Sequence, residues 1–146
     1  MQLEKYEVRS SARHTGYMFV SVGERGSIIK VVEFTPTENS NEYNLGFGDY
    51  DPATGSVNDT VKSNNGDRDK VLATVGTTAI NFISWYPEAI VFAKGSTDAR
   101  TRMYQMGISR FYNEIISEHD ILGFIDGQWE VFEPNRLYEA FKMRRK

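Results

Sequence analysis

Tyr17-Met18-Phe19-Val20-Ser21-Val22, then Gly23-Glu24-Arg25-Gly26, then Ser27-Ile28-Ile29-Lys30-Val31-Val32-Glu33-Phe34 decide the fold class of this chain. Two runs rich in β-branched and aromatic residues, joined by a short turn with glycine at both ends, make a β-hairpin. In the second run Ile28, Val32 and Phe34 share one face with Lys30 among them, while Ile29, Val31 and Glu33 take the other. Neither face is fully polar, so both are expected to be partly covered.

Working outward, the segment from Lys5 to Arg9 reads as a weaker strand. On the other side, Tyr43, Leu45 and Phe47 alternate with Asn44, Gly46 and Gly48 in a strand from Glu42 to Asp49. The two glycines leave one face of that strand bare, which suits a close helix crossing or the approach of a ligand, packing being the commoner use. Asp51-Pro52-Ala53-Thr54-Gly55 is a turn, and Ser56 to Lys62 is expected to return beside the previous strand. The period then changes. Asp67 is placed to cap a helix whose apolar residues are Leu72, Val75, Ala79, Phe82 and Tyr86, with Pro87 ending it. Ala89-Ile90-Val91-Phe92-Ala93 is a continuous apolar run and reads as an interior strand covered on both faces.

Gly95-Ser96-Thr97 opens a second helix to about Glu118, with Tyr104, Ile108, Phe111 and Ile115 on its buried side. Ile121 to Ile125 pairs with Gln128 to Phe132 across Asp126-Gly127, a strong two-residue turn signal. Leu137 to Met143 is expected to add a short helix. The fold class is therefore α+β: a mostly antiparallel sheet of about six to eight strands with two long helices packed on it. The order is β-β-β-β-(β)-α-β-α-β-β-(α), over one domain spanning residues 1–146.

Composition narrows the function classes. An apolar fraction of 40% with 25% charged residues is that of a globular domain rather than a disordered one. The absence of cysteine removes disulfides, zinc-thiolate sites, iron–sulfur clusters and cysteine nucleophiles together. The first residues, Met1 to Glu7, carry no apolar core of a signal peptide, and no run is long enough to cross a bilayer, so a cytoplasmic location without membrane contact is expected. A net charge of −3 argues against a general nucleic-acid coat. Lys142, Arg144, Arg145 and Lys146 crowd together near the end, where the default reading is a solvated tail at a helix C-terminus.

The junction Lys94-Gly95-Ser96-Thr97 carries the most chemistry. A buried strand runs through a Gly-Ser-Thr turn into a helix bearing Arg100 and Arg102, and the start of a helix offers free N–H groups to an anion. Gly95 admits close backbone approach, Ser96 and Thr97 offer hydroxyls, Lys94, Arg100 and Arg102 supply charge, and Tyr104 follows one turn on. The structural alternative is that Ser96 or Thr97 caps the helix, Gly95 turns the chain, and Asp98 pairs with Arg102. Asn64, Asn65 and Asp67 form a second candidate loop, where Asn side chains suit the reading of a base edge or a peptide but turn chemistry is the favoured use. Other matches fail. Gly46-Phe47-Gly48 lacks the rest of a dinucleotide fingerprint, Asp49-Tyr50-Asp51 lacks the later ligands of a calcium loop, and His14 and His119 lack metal-ligand spacing. No metal or cofactor is expected, and no catalytic set can be named.

Lys70-Val71-Leu72-Ala73-Thr74-Val75, Phe92-Ala93-Lys94-Gly95-Ser96-Thr97 and Arg100-Thr101-Arg102-Met103-Tyr104 together resemble a family of small stand-alone bacterial proteins known only as a domain of unknown function. The approach Asn64-Asn65-Gly66-Asp67 and the closing hairpin with Trp129 and Phe132 are similar too. The resemblance spans nearly the whole chain and implies a fold and a single-domain organisation, but no activity. Three functions stay open. The first is a binding or interaction module of a small bacterial operon, such as a toxin–antitoxin or defence pair, taking a small anionic ligand or a partner protein. The second is an enzyme on a phosphorylated or nucleotide substrate, with Arg100 and Arg102 holding phosphate and Tyr104 or His14 donating a proton. The third is a specific RNA binder using aromatics such as Tyr43 or Phe47 on the sheet.

Overall fold

The computed structural model describes residues 4–58 and 65–146. Its elements are β1 (Arg9–Ser10), β2 (Gly16–Gly23), β3 (Gly26–Pro36), β4 (Glu42–Asp51), β5 (Ser56–Asn58), α1 (Arg68–Trp85), β6 (Ile90–Ala93), α2 (Asp98–Arg110), α3 (Tyr112–Ile115), β7 (His119–Ile125), β8 (Gln128–Val131) and β9 (Ala140–Arg145). The described strands form one nine-stranded sheet in the order β1-β2-β3-β4-β6-β9-β7-β8, with β5 paired to β4. Every pairing is antiparallel except β4 with β6. The α+β class with two long helices therefore holds.

Alternation fixes which side each residue takes. Tyr17, Phe19 and Ser21 of β2, Lys30, Val32 and Phe34 of β3, and Leu45, Phe47 and Asp49 of β4 are all buried on one face. The intervening Met18, Val20 and Val22 stay exposed on the other. Against the buried face lie Leu72, Val75, Ala79 and Phe82 of α1 and Tyr104 of α2. Phe34 and Phe82 stack at 4.4 Å, and Tyr43 meets Phe82 edge-on at 5.0 Å, so aromatic faces join α1 to the sheet. The second hairpin turns as its sequence requires, with positive φ at both Asp126 (52°) and Gly127 (75°).

Several expectations give way to tertiary pairing. The closing segment is a strand, β9, not a helix: Phe141 and Met143 alternate with Lys142 and Arg144, and the strand fills the slot between β6 and β7. The basic cluster is thus built into the sheet: Lys142 pairs with Glu42 at 3.0 Å and Arg144 with Asp120 at 3.6 Å. Strand β6 is interior to the sheet, but Ile90 and Phe92 on its far side are half-buried, because both helices lie on the opposite face. That same far side carries Gly46 and Gly48, so their bare backbone does not serve a helix crossing. Over Gly48 it is β5, through Val57 and Asn58, that lies close. The second helix ends at Arg110, and a separate turn of helix, α3, follows it. The N-terminal strand shrinks to Arg9–Ser10. Residues 59–62 of the strand expected from Ser56 to Lys62 lie outside the described residues.

Candidate functional site

The start of α2 is a tight corner. Thr97 has extended backbone and its hydroxyl accepts from the Arg100 amide at 3.2 Å, which caps the helix. The Gly95 amide donates to Thr101 Oγ1 at 3.1 Å, and Thr101 Oγ1 in turn reaches the Thr97 carbonyl at 3.3 Å. A Cβ on Gly95 would stand 2.4 Å from both Arg100 Cβ and the Thr101 amide nitrogen. The close approach that Gly95 permits is therefore made by the first turn of α2 itself. Lys94, Ser96 and Thr97 are exposed at this corner, and Arg100 is buried beneath it.

Arg100 and Arg102 diverge, as residues two apart on a helix must. Arg102 turns away from Asp98 and donates to Gln105 Oε1 at 2.8 Å and to the Tyr138 carbonyl. Gln105 also donates to the Arg136 carbonyl and accepts from the Tyr138 amide at 3.0 Å, so this pair clamps the segment that leads into β9. Tyr104 is buried between α2 and the sheet. Arg100 points to the opposite end, where its guanidinium carbon lies 5.0 Å from the centre of the Phe47 ring.

Two buried polar groups stand near this end of the sheet, one with Arg100 at Phe47 and one with Asn65 and Asp67, linked by the stacked rings of Phe47, Phe19 and Tyr6. Lys30 Nζ stands 5.9 Å from the same ring and pairs with Asp49 Oδ1 at 2.5 Å. Phe19 stacks beside Phe47 at 6.4 Å, and Tyr6 beside Phe19 at 5.7 Å. The Tyr6 hydroxyl then donates to Asp67 Oδ2 at 2.5 Å, and the Ser21 hydroxyl donates to the same oxygen at 2.6 Å. Asp67 occupies the capping position of α1, but its carboxylate is spent on these hydroxyls rather than on helix amides. Asn65 donates to Ser21 Oγ at 3.1 Å and to the Gly26 carbonyl at 3.0 Å, and accepts from the Arg25 amide at 2.6 Å. Asn64 lies outside the described residues.

The electrostatics follow from depth. Ser21, Lys30, Asp49, Asn65 and Arg100 are all less than a tenth exposed, a concentration of polar groups that a core excludes unless each is bonded. Burial and the hydrogen bond to Asp67 hold the Tyr6 phenol above its ordinary range. Sequence reading saw Arg100, Asn65 and Asp67 as two unrelated loops, and it missed Tyr6, Ser21, Lys30 and Asp49. The signal for one of these was present: strict alternation puts Lys30 on the same face as Val32 and Phe34.

Other candidates are elsewhere. Tyr43 and Phe47, offered as base-stacking residues, face the helices, and Phe47 is buried. His14 stacks on Trp85 at 3.9 Å, at the far end of α1 from Asp67. Eighteen residues of helix separate those ends by about 25 Å, so His14 is no partner for Arg100. His119 is buried at the start of β7, its Nδ1 3.3 Å from the Ile115 carbonyl. Among the described residues no three His, Cys, Asp or Glu side chains gather in a way that could hold a metal ion. No helix among them is long and apolar enough to cross a membrane.

An α+β domain with its helices on one sheet face and two buried polar groups near one end is the class that the fold and this site define. The chain belongs to the family of unknown function DUF6934, whose model matches residues 2–146. No curated protein and no solved structure matches it.

Proposed function

We propose that this chain is a small cytoplasmic bacterial binding module that takes a small anionic ligand at the end of the sheet where α1 and α2 both begin. The observation that carries the reading is the convergence of two buried cations, Lys30 and Arg100, on the single ring of Phe47. The Asp49 carboxylate already holds Lys30 at 2.5 Å, so an incoming anion would share these cations with it and draw on the rim charge of Lys94 as well, in a site where charges are weakly screened. The exposed Lys94, Ser96 and Thr97 stand at the rim, where they would meet a phosphate or carboxylate first. Thermal-shift titration with nucleotides and phosphorylated metabolites tests the reading, with Arg100→Lys and Arg100→Ala as controls. A stabilisation present in the wild type, weakened by Arg100→Lys and abolished by Arg100→Ala is the expected pattern. Equal responses in all three, or none in any, would remove the proposal.

A second reading, an enzyme on a phosphorylated or nucleotide substrate, has one observation in its favour. The Ser21 hydroxyl and Asp67 carboxylate lie 2.6 Å apart, the geometry in which a carboxylate draws a proton from a hydroxyl. Release of inorganic phosphate from nucleotides by the wild type, lost in Asp67→Asn, is its test. Arg102 and His14 have no part in it, being turned to Tyr138 and to Trp85.

A further inference from the structure

Away from the buried polar groups, α1 and α2 do not close completely over the sheet. Between them lies a cleft of about 90 Å³ whose floor is Leu45, Val91 and Phe141, all buried, and whose mouth is formed by Gly76, Ile80 and Ile108, all half-buried. Protein interiors are packed to near-crystalline density, so an apolar opening of this size beside the core is a departure from the rule. The sequence does not close it where it could. Gly107 sits inside α2 on the cleft wall, and a Cβ there would lie 3.5 Å from Leu72 Cβ, an ordinary contact. Sterics therefore do not demand glycine at a helix position where glycine is unfavourable. Gly76, likewise inside α1, lines the facing wall.

The size and shape of the opening select its occupant. A volume of about 90 Å³ is too small for a partner's helix or strand and admits a single ring or a short chain. The lining is almost wholly hydrocarbon, which bars an ion or a sugar. We infer that the cleft between α1 and α2 is a binding site for a free small apolar molecule, the size of one ring or a short branched chain. This site stands on different residues from the anion site and does not depend on it. Xenon and benzene, which enter enclosed apolar cavities of about 150 Å³, have the matching chemistry to probe this smaller, open cleft.

Methyl-resolved NMR of the full chain, titrated with xenon under pressure and separately with benzene, reads the site directly. Saturating shifts centred on Val75, Val91, Ile108 and Ile115 with either probe are expected. The variant Ile108→Trp, which adds bulk at the half-buried mouth, is expected to bind about tenfold more weakly, because the room is taken. Shifts that fail to saturate, that centre on other methyl groups, or that are absent with both probes overturn the inference. So does binding of a long-chain fatty acid with no response to either small probe. Should Ile108→Trp not fold, the wild-type shift map decides alone.

Discussion

Two glycines of the α2 region are expected to respond to alanine in opposite directions. At Gly107 the added methyl meets Leu72 Cβ, Cδ2 and Cδ1 at 3.5, 3.6 and 3.8 Å, all ordinary contacts. Relief of the glycine penalty inside a helix is worth about 0.8–1.0 kcal/mol. Burying one methyl in the cleft adds about 0.8 kcal/mol. Gly107→Ala should therefore gain about 1.5–2 kcal/mol, which for a domain of this length raises Tm by about 6 °C. At Gly95 the same methyl would stand 2.4 Å from the Thr101 amide nitrogen and 2.7 Å from the Arg100 carbonyl carbon, which are backbone atoms of a capped helix and cannot swing aside. Gly95→Ala must push the first turn of α2 away from the loop after β6 and is expected to cost about 2–3 kcal/mol. Urea unfolding followed by far-UV circular dichroism measures both, with the midpoint reporting stability and the slope checking that the folded state is unchanged. A Gly107→Ala protein no more stable than wild type, or a Gly95→Ala protein of equal midpoint, would refute the packing logic.

Three further outcomes are expected. Burial pushes the Glu42 carboxyl up, but hydrogen bonds from Asn39, Lys142 and Thr37, with the charge of Lys142, outweigh it and hold the group below its ordinary 4.5. Its folded pKa is thus the lower one, so the stability it adds is complete above about pH 4.5 and drains away as pH falls further. The urea midpoints of wild type and Glu42→Gln, well apart at neutral pH, should converge on acidification, and a constant gap would contradict the assignment. Tyr17 runs the other way: burial, aided by nearby Tyr86, pushes its phenol up to about 12. A raised folded pKa means stability intact below pH 10 and lost as pH climbs toward about 12. Tyr17→Phe should flatten that alkaline loss in a pH series of melting curves, and an unchanged profile counts against it. Asn65→Ala removes three bonds to Ser21, Arg25 and Gly26 at once and is expected to cost about 2–4 kcal/mol. Wild-type stability in that variant would show the loop to be uncoupled from the hairpin.

The legible part of this fold is its local part. Alternation in Tyr17–Phe34 and Glu42–Asp49 assigned the faces of three strands, and Asp126-Gly127 gave its hairpin without ambiguity. The segment at Ala140–Arg145 was illegible because its strand state comes from two neighbours, β6 and β7, contributed by residues about 20 to 50 positions earlier. The site divides along the same line. Arg100 was visible as a charge beside a buried helix face, and Lys30 as a charge on a buried strand face. That Tyr6 and Ser21 meet at Asp67 was not visible, since they lie 61 and 46 residues from it. Nor could spacing reveal that Arg102 would leave Asp98 for the Tyr138 carbonyl.

The position of β9 has a consequence for how the chain comes together during synthesis. A nascent chain that has emerged as far as β8 holds two separate sheets, β1 to β6 on one side and the β7–β8 hairpin on the other, with facing edges that cannot yet meet. Only the arrival of Ala140–Arg145 zips them together. Until then Ile90–Ala93 and His119–Ile125 present bare ladder edges, the kind of surface that recruits other unfinished chains. Lys142 and Arg144 ride on the joining strand itself, so the element that seals those edges brings two cations to Glu42 and Asp120 as it docks.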